Sequence, residues 1–351
     1  MLPGNYLLTF SDSGKTPITP PESQKIIFSR YRNENKTVSV EYNRPEAVLP
    51  ENDTKKIPVI PVKEPDSDPV SKNTLPLDPN ELLLVVSAGE MFIGESMKQK
   101  LSVAGFKIGM YEITNEQFSD LLNKALEEKK IVYGQEGPEK GKVFDLHRHL
   151  LFKTNEADSL SQIFMSNAGE NRITFQSLPG KQNYPVIFVT FYGAEFYCKE
   201  LGCRLPNEAE WEKAAAMKIT EAGQPLSKYR YGFSSDEINR TWANYKTNAA
   251  SGKYFKVNTT PVGFYNGINI LPLDPSDPEQ LKTQNAVSPV GAYDMSGNVW
   301  EWVMPVGDEV GAFGKGGCYE SLSEGVRIAE QISLPLGHCD AFTGFRVARS
   351  L

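Results

Sequence analysis

The chain has 351 residues, with 37 basic against 44 acidic side chains, a formal charge of −7, and 40% hydrophobic and 23% charged content. That balance is ordinary for a soluble globular protein, and it holds no basic stripe of the kind that grips phosphate backbones, which argues against nucleic-acid binding. No apolar run reaches bilayer length, so no membrane span is expected; four cysteines and three histidines are too few for a disulfide-built scaffold or a His-rich metal site.

Taken in chain order, the first eighty residues stand apart, with 12 of the 24 prolines. Residues 25–32 and 36–42 read as two strands joined by the Asn33-Glu34-Asn35 turn. From Pro45 to Asn80 the composition of Pro, Asp, Lys and Ser reads as an extended connector. This predicts a β-rich N-terminal segment with a Pro-rich linker over 1–80 and a main domain over 81–351. Met1-Leu2-Pro3-Gly4 carries no export signal, which fits a cytoplasmic protein or a chain lacking its leader.

The main domain opens with the apolar run 81–86, which suits a buried strand, followed by a strand over 105–111. Thr114 and Gln117 have capping-box spacing, and Phe118, Leu121, Leu122, Ala125 and Leu126 then form one helical stripe. A second helix is predicted over 191–201, with Thr190 before it and Gly202 available at its end. A third follows Pro206, capped by Asn207 with Glu210 as its reciprocal partner, and runs through Trp211 to Ala216. Beyond residue 217 the chain reads as short strands and loops. This is an α+β pattern without βαβ alternation.

Five blocks are then recognisable together. They are Tyr111 to Phe118; Pro185 to Thr190 leading into Cys203-Arg204-Leu205-Pro206-Asn207-Glu208-Ala209-Glu210-Trp211-Glu212; Tyr293 to Trp302; Gly316-Gly317; and Gly344-Phe345-Arg346-Val347-Ala348-Arg349. In this order they resemble the formylglycine-generating-enzyme (sulfatase-modifying factor) superfamily, which implies a modified C-type-lectin fold. The resemblance also implies that Asn298 and Glu301 match residues that hold a structural calcium in some relatives. Two oxygen ligands can be named against the six to eight such a site needs, and packing around Trp300 and Trp302 is the alternative.

The family's oxidases bind copper through two cysteines five residues apart, just after a Gly-Gly-Ser segment, because soft thiolates suit copper(I). Here Cys318 replaces the serine, Ser321 stands at the first cysteine, and no second one follows. Iron-dependent relatives take three histidines from an added domain, whereas the first eighty residues contain none. His147 with His149, and Cys339 with His338, are the remaining pairs, and neither spacing suits a catalytic site. The chain is therefore expected not to be an enzyme and to carry no cofactor beyond the calcium just named.

Gly316-Gly317-Cys318-Tyr319, Arg327-Ile328-Ala329, Pro335 and the terminal Gly344-Phe345-Arg346 also resemble the variable proteins of diversity-generating retroelements. Such proteins mutate template adenines, often in AAC codons, which cannot become Glu, Gln, Lys, Met or Trp; Ile332 to Thr343 contains none of these. The resemblance implies a variable region over about 316–349. Its recognition face would comprise Cys318, Tyr319, Glu320, Ser321, Leu322, Ser323, Glu330, Ile332, Leu334, Leu336, His338, Asp340, Ala341 and Phe342. Ile328, Ala329, Phe345 and Val347 are expected in the core. The expectation is a monomeric, receptor- or adhesin-like ligand-binding protein recognising a protein or glycan, displayed on a bacterial cell surface as a lipoprotein. An oxidoreductase of the formylglycine-generating type with an altered metal site, and an inert structural paralogue, are the alternatives.

Overall fold

The computed structural model describes residues 75–96, 99–167, 173–218, 227–247, 258–271, 281–307 and 311–351. The hairpin expected over 25–42 lies outside the described residues. Contacts divide the chain into Met1–Glu64 and Pro65–Leu351, and the second unit is the one described below.

The two ends of this unit meet in one sheet. Strand β1 (Leu83–Val86) pairs antiparallel with β4 (Phe106–Gly109), and β14 (Ala348–Ser350) pairs antiparallel with the other edge of β4. The run 81–86 is thus only partly a strand. Asp78 caps a 3₁₀ turn over Pro79–Leu82, and the strand begins at Leu83. As an edge strand it leaves Val85 60% exposed, so it is not the buried strand its composition suggested. A hairpin of β2 (Gly89–Ile93) and β3 (Gln99–Val103) lies between β1 and β4 in sequence.

Helix α1 (Asn115–Glu127) starts where local chemistry dictates. Gln117 N donates to Thr114 Oγ1 at 3.3 Å, and Thr114 N donates to Gln117 Oε1 at 3.0 Å. Such caps stabilise a helix by about 1 kcal/mol. Strands β5 (Ile131–Tyr133), β6 (Lys142–Asp145) and β7 (Leu150–Lys153) form an antiparallel sheet, and β8 (Ile163–Asn167) pairs with β9 (Ile173–Ser177). Helix α2 (Phe191–Glu200) has Thr190 as its cap, and α3 (Glu208–Ala216) has the Asn207–Glu210 box. Among the described residues, the only helical element beyond residue 217 is a 3₁₀ turn over Ser323–Val326.

Near the C-terminus a four-stranded sheet forms in the order β12 (Gln331–Leu334), β11 (Ala312–Lys315), β10 (Trp300–Val303), β13 (Thr343–Gly344), with β10 and β13 parallel. The largest core joins this sheet to α1, α2 and β7 through aromatic contacts. Phe118 stacks on Tyr197 at 5.7 Å, and Phe345 meets both rings edge-on. Smaller cores lie beneath α3, one around Phe106 and Ile108 and another around Trp211, Met295 and Ile328. The architecture is α+β, and of the residues expected inside, Ile328, Phe345 and Val347 are fully buried while Ala329 is half-buried.

Candidate functional site

The site rests on a buried charge network. Glu301, on β10, accepts from Arg346 Nε at 2.5 Å and Nη2 at 2.6 Å, and from the Trp211 indole N–H at 2.8 Å. Arg346 also donates to the carbonyls of Gly109 and Tyr293, so one fully buried guanidinium ties β10 to β4 and the loop before β10. On α3, Glu212 accepts from Lys315 Nζ and Lys228 Nζ, each at 2.8 Å, while Arg204 clasps Glu210 with two bonds of 2.6 Å. The charged groups flanking Trp211 thus pin the chain around the indole.

Two further carboxylates, Glu112 and Asp294, share the Arg346 environment. Burial pushes both up, and the nearby carboxylates reinforce the effect; Asp294 reaches about 6 although the Gly263 N–H donates to it at 2.5 Å. The folded state therefore holds the Asp294 proton more tightly than the unfolded chain, so this group stabilises below its ordinary value of 3.8 and the stabilisation is lost as pH rises through about 6. Asp294→Asn is expected to flatten the fall in stability across that window, a difference of up to roughly 3 kcal/mol at neutral pH, measurable by urea unfolding at a series of pH values.

The pair implied as calcium ligands does not fit that ion. Both Glu301 oxygens are held by Arg346 and Trp211, and Asn298 Oδ1 accepts from Thr260 N at 2.9 Å and Asn244 Nδ2 at 3.2 Å. A guanidinium occupies the coordination that a cation would need.

The segment expected to form a recognition face leaves this network through Gly316 and Gly317, both at positive φ. Cys318 and Ser321 then close a turn, with Ser321 N donating to the Cys318 carbonyl at 2.9 Å and Cys318 N to Ser321 Oγ at 3.0 Å. The turn directs Cys318 and Tyr319 inward; they are 4% and 7% exposed, with Tyr319 against Phe342 at 5.4 Å. Ala341 is 5% exposed. These three residues cannot serve as an outward patch, which corrects the expectation for each of them.

Along β12 exposure alternates. Gln331 and Ser333 point outward, whereas Ile332 packs over Gly314 and Leu334 joins the main core, as does Leu336 beyond the strand. A strand's side chains alternate faces, so the outward pair is one residue out of step with the predicted Ile332 and Leu334. Glu320 and Leu322 are exposed, and Ser321, Ser323, Glu330, His338, Asp340 and Phe342 are half-buried. The His338 ring nitrogen Nε2 lies 2.7 Å from Asp340 Oδ2, and the Lys246 Nζ lies 2.9 Å from Glu320 Oε2.

Sequence reasoning missed an adjoining open cleft of about 540 Å³. Leu322 and Ser323 form one side; Arg230, Tyr231, Glu237 and Tyr245 form others. Its lining is largely polar and includes both charge signs. The only sequence signal was the aromatic and charged character of residues 229–246.

Cys318 and Cys339 each hydrogen-bond to a group other than a histidine or a second thiol. Cys318 Sγ lies 3.5 Å from Ser321 Oγ, the residue at the first redox position, and burial pushes its thiol up. Cys339 Sγ donates to the Phe188 carbonyl at 2.7 Å, away from His338, and burial pushes it to about 12. Thiols held protonated at neutral pH are slow nucleophiles. His149 pairs with Asp145 at 2.9 Å and stacks on Tyr192, 6.2 Å from the His147 ring. Among the described residues, no three His, Cys, Asp or Glu side chains are arranged to hold a metal ion. None of the described helices is long and apolar enough to cross a membrane.

The fold and its buried motif residues define a formylglycine-generating-enzyme-like α+β domain. The sulfatase-modifying factor enzyme 1-like domain model matches residues 70–351, and the chain belongs to that family. It is 30% identical over 192 residues to the serine/threonine-protein kinase pkn1 of Chlamydia caviae, covering 49% of this chain and 25% of the kinase. It is 26% identical to the formylglycine-generating enzyme of Thermomonospora curvata, covering 73% of this chain and 85% of that enzyme. Among solved structures, the Treponema denticola variable protein 1 is similar at 17% identity and a TM-score of 0.41, over 77% of this chain and 95% of its own. The chain spans between a quarter and two fifths of the length of the kinase relatives. The family contains both enzymes and inactive paralogues.

Proposed function

We propose that this is a non-enzymatic recognition protein whose C-terminal surface, with the cleft beside it, binds a protein or glycan partner at a bacterial cell surface. One observation carries the reading. Where the family's oxidases place their first thiol, Ser321 spends its hydroxyl on the backbone of Cys318, and the chain on either side of it turns Glu320, Leu322, Gln331 and Ser333 outward. Exposed side chains mounted on a rigid core are the arrangement used by antibody-like paratopes. On this reading the exposed positions are the ones exchanged by a retroelement, Glu320 and Gln331 through codons other than AAC, and the glycines, Ile328, Phe345 and Arg346 are retained.

The encoding locus tests it. An adenine-rich near-copy of codons 316–349 beside a reverse-transcriptase gene is expected, with its adenines concentrated at the codons of exposed residues. A locus without such a copy would remove diversification from the account. The enzyme reading has one feature in its favour, the Cys318 thiol beside Ser321. Oxygen consumption with copper and a cysteine-containing peptide, abolished by Cys318→Ala, would establish it.

A further inference from the structure

Helix α2 ends in a motif that brings two thiols together. Gly202 sits at φ +66°, its N–H donating to the Lys199 carbonyl at 3.3 Å, while Cys203 N–H reaches back to the Cys198 carbonyl at 2.9 Å. This pair of bonds is the Schellman ending, which places the side chain just past the helix against the one five residues earlier, usually as an apolar contact. Here both side chains are cysteines. Cys203 Sγ donates to the Cys198 carbonyl at 3.4 Å, which brings its sulfur beside Cys198. A disulfide needs Cα atoms within roughly 4.4–6.8 Å, and a direct backbone hydrogen bond between the two residues keeps them within reach of that range.

We infer that Cys198 and Cys203 are a redox-sensitive pair that closes to a disulfide in an oxidising environment, stapling the end of α2 to the segment that leads into α3. The neighbouring residues give the staple a purpose. Arg204 follows immediately; its backbone pairs with Ala348 on β14 and its guanidinium clasps Glu210 at the start of α3. A bond at Cys203 therefore restrains the junction of α2, α3 and the C-terminal strand. Cys198 is 2% exposed and burial, then the contact with Cys203, holds its thiol protonated, so the reaction starts at the half-buried Cys203.

With glutathione disulfide as the oxidant, Cys203 loses its proton and its sulfur attacks one glutathione sulfur. The glutathione S–S bond breaks, a mixed disulfide forms, and the departing glutathione thiolate takes up a proton. Cys198 then loses its proton and attacks Cys203 Sγ, the Cys198–Cys203 bond forms, and the second glutathione leaves as a thiol. Two protein thiols are oxidised by two electrons and one small disulfide is reduced. Such a bond persists outside the cell and opens in a reducing cytosol.

The full chain, equilibrated in excess glutathione disulfide and then alkylated, tests this. Trypsin cleaves after Lys199 and Arg204, so closure joins residues 182–199 to 200–204 as one species two hydrogens lighter than the separate peptides, with Cys318 and Cys339 alkylated. The oxidised chain should melt about 2–5 °C above the reduced one, and Cys203→Ser should abolish both the linked peptide and the shift. Alkylation of both Cys198 and Cys203 after oxidation, or pairing of either with Cys318 or Cys339, would overturn the inference. So would a linked peptide with no change in melting. The inference is independent of the recognition reading.

Discussion

Replacing Arg346 with alanine is expected to cost about 3–5 kcal/mol of unfolding free energy, the range for removing one partner of a buried ion pair. Arg346 is fully buried and is the cation shared by Glu301, Glu112 and Asp294. Without it, Glu301 keeps only the Trp211 indole as a donor, and the carbonyls of Gly109 and Tyr293 lose theirs. Lysine would restore the charge without the two-pronged geometry, so Arg346→Lys should fall between alanine and the unmodified chain. Guanidinium unfolding curves measure the series, and a loss below about 1 kcal/mol for Arg346→Ala would contradict this account of the core.

The second large effect lies at the root of the C-terminal segment. Gly317 sits at φ +76°, and a Cβ placed there would stand 2.5 Å from the Gly325 carbonyl oxygen and 2.6 Å from Val326 Cγ1. Any other residue therefore meets both left-handed strain and backbone overlap, so Gly317→Ala should cost at least about 2 kcal/mol. Three residues further on, Glu320 is exposed and its ion pair with Lys246 is solvent-screened, so Glu320→Ala should lie within about 0.5 kcal/mol of the unmodified chain. The contrast between these nearby positions is what the proposed recognition face on an intolerant frame requires. Thermal unfolding of the two variants side by side checks it.

Features governed by neighbours in sequence were legible before the structure. The Thr114–Gln117 and Asn207–Glu210 boxes announce α1 and α3 because capping is decided within four residues, and both form as the spacing predicts. Helix α2 stops one residue earlier than predicted because Leu201 already has cap geometry. The face was read less well. Tyr319 looked like a contact residue by type, but two left-handed glycines and the Ser321 turn aim it inward, and composition carries no direction. Ile332 and Leu334 enter the expected face through the resemblance alone, although the alternating Gln-Ile-Ser-Leu pattern assigns them to the packed side. The pairing of Glu301 with Arg346 and of Glu212 with Lys315 depends on strand register across distant segments. No local pattern encodes that register.

The central claim is that the C-terminal segment separates positions that hold the fold from positions free to change. Saturating residues 316–349 with substitutions and sorting the displayed chains for folding tests it most directly. The account predicts that Glu320, Leu322, Gln331 and Ser333 accept nearly every residue, whereas Gly317, Ile328, Phe345 and Arg346 accept almost none. Equal intolerance at both sets would contradict it.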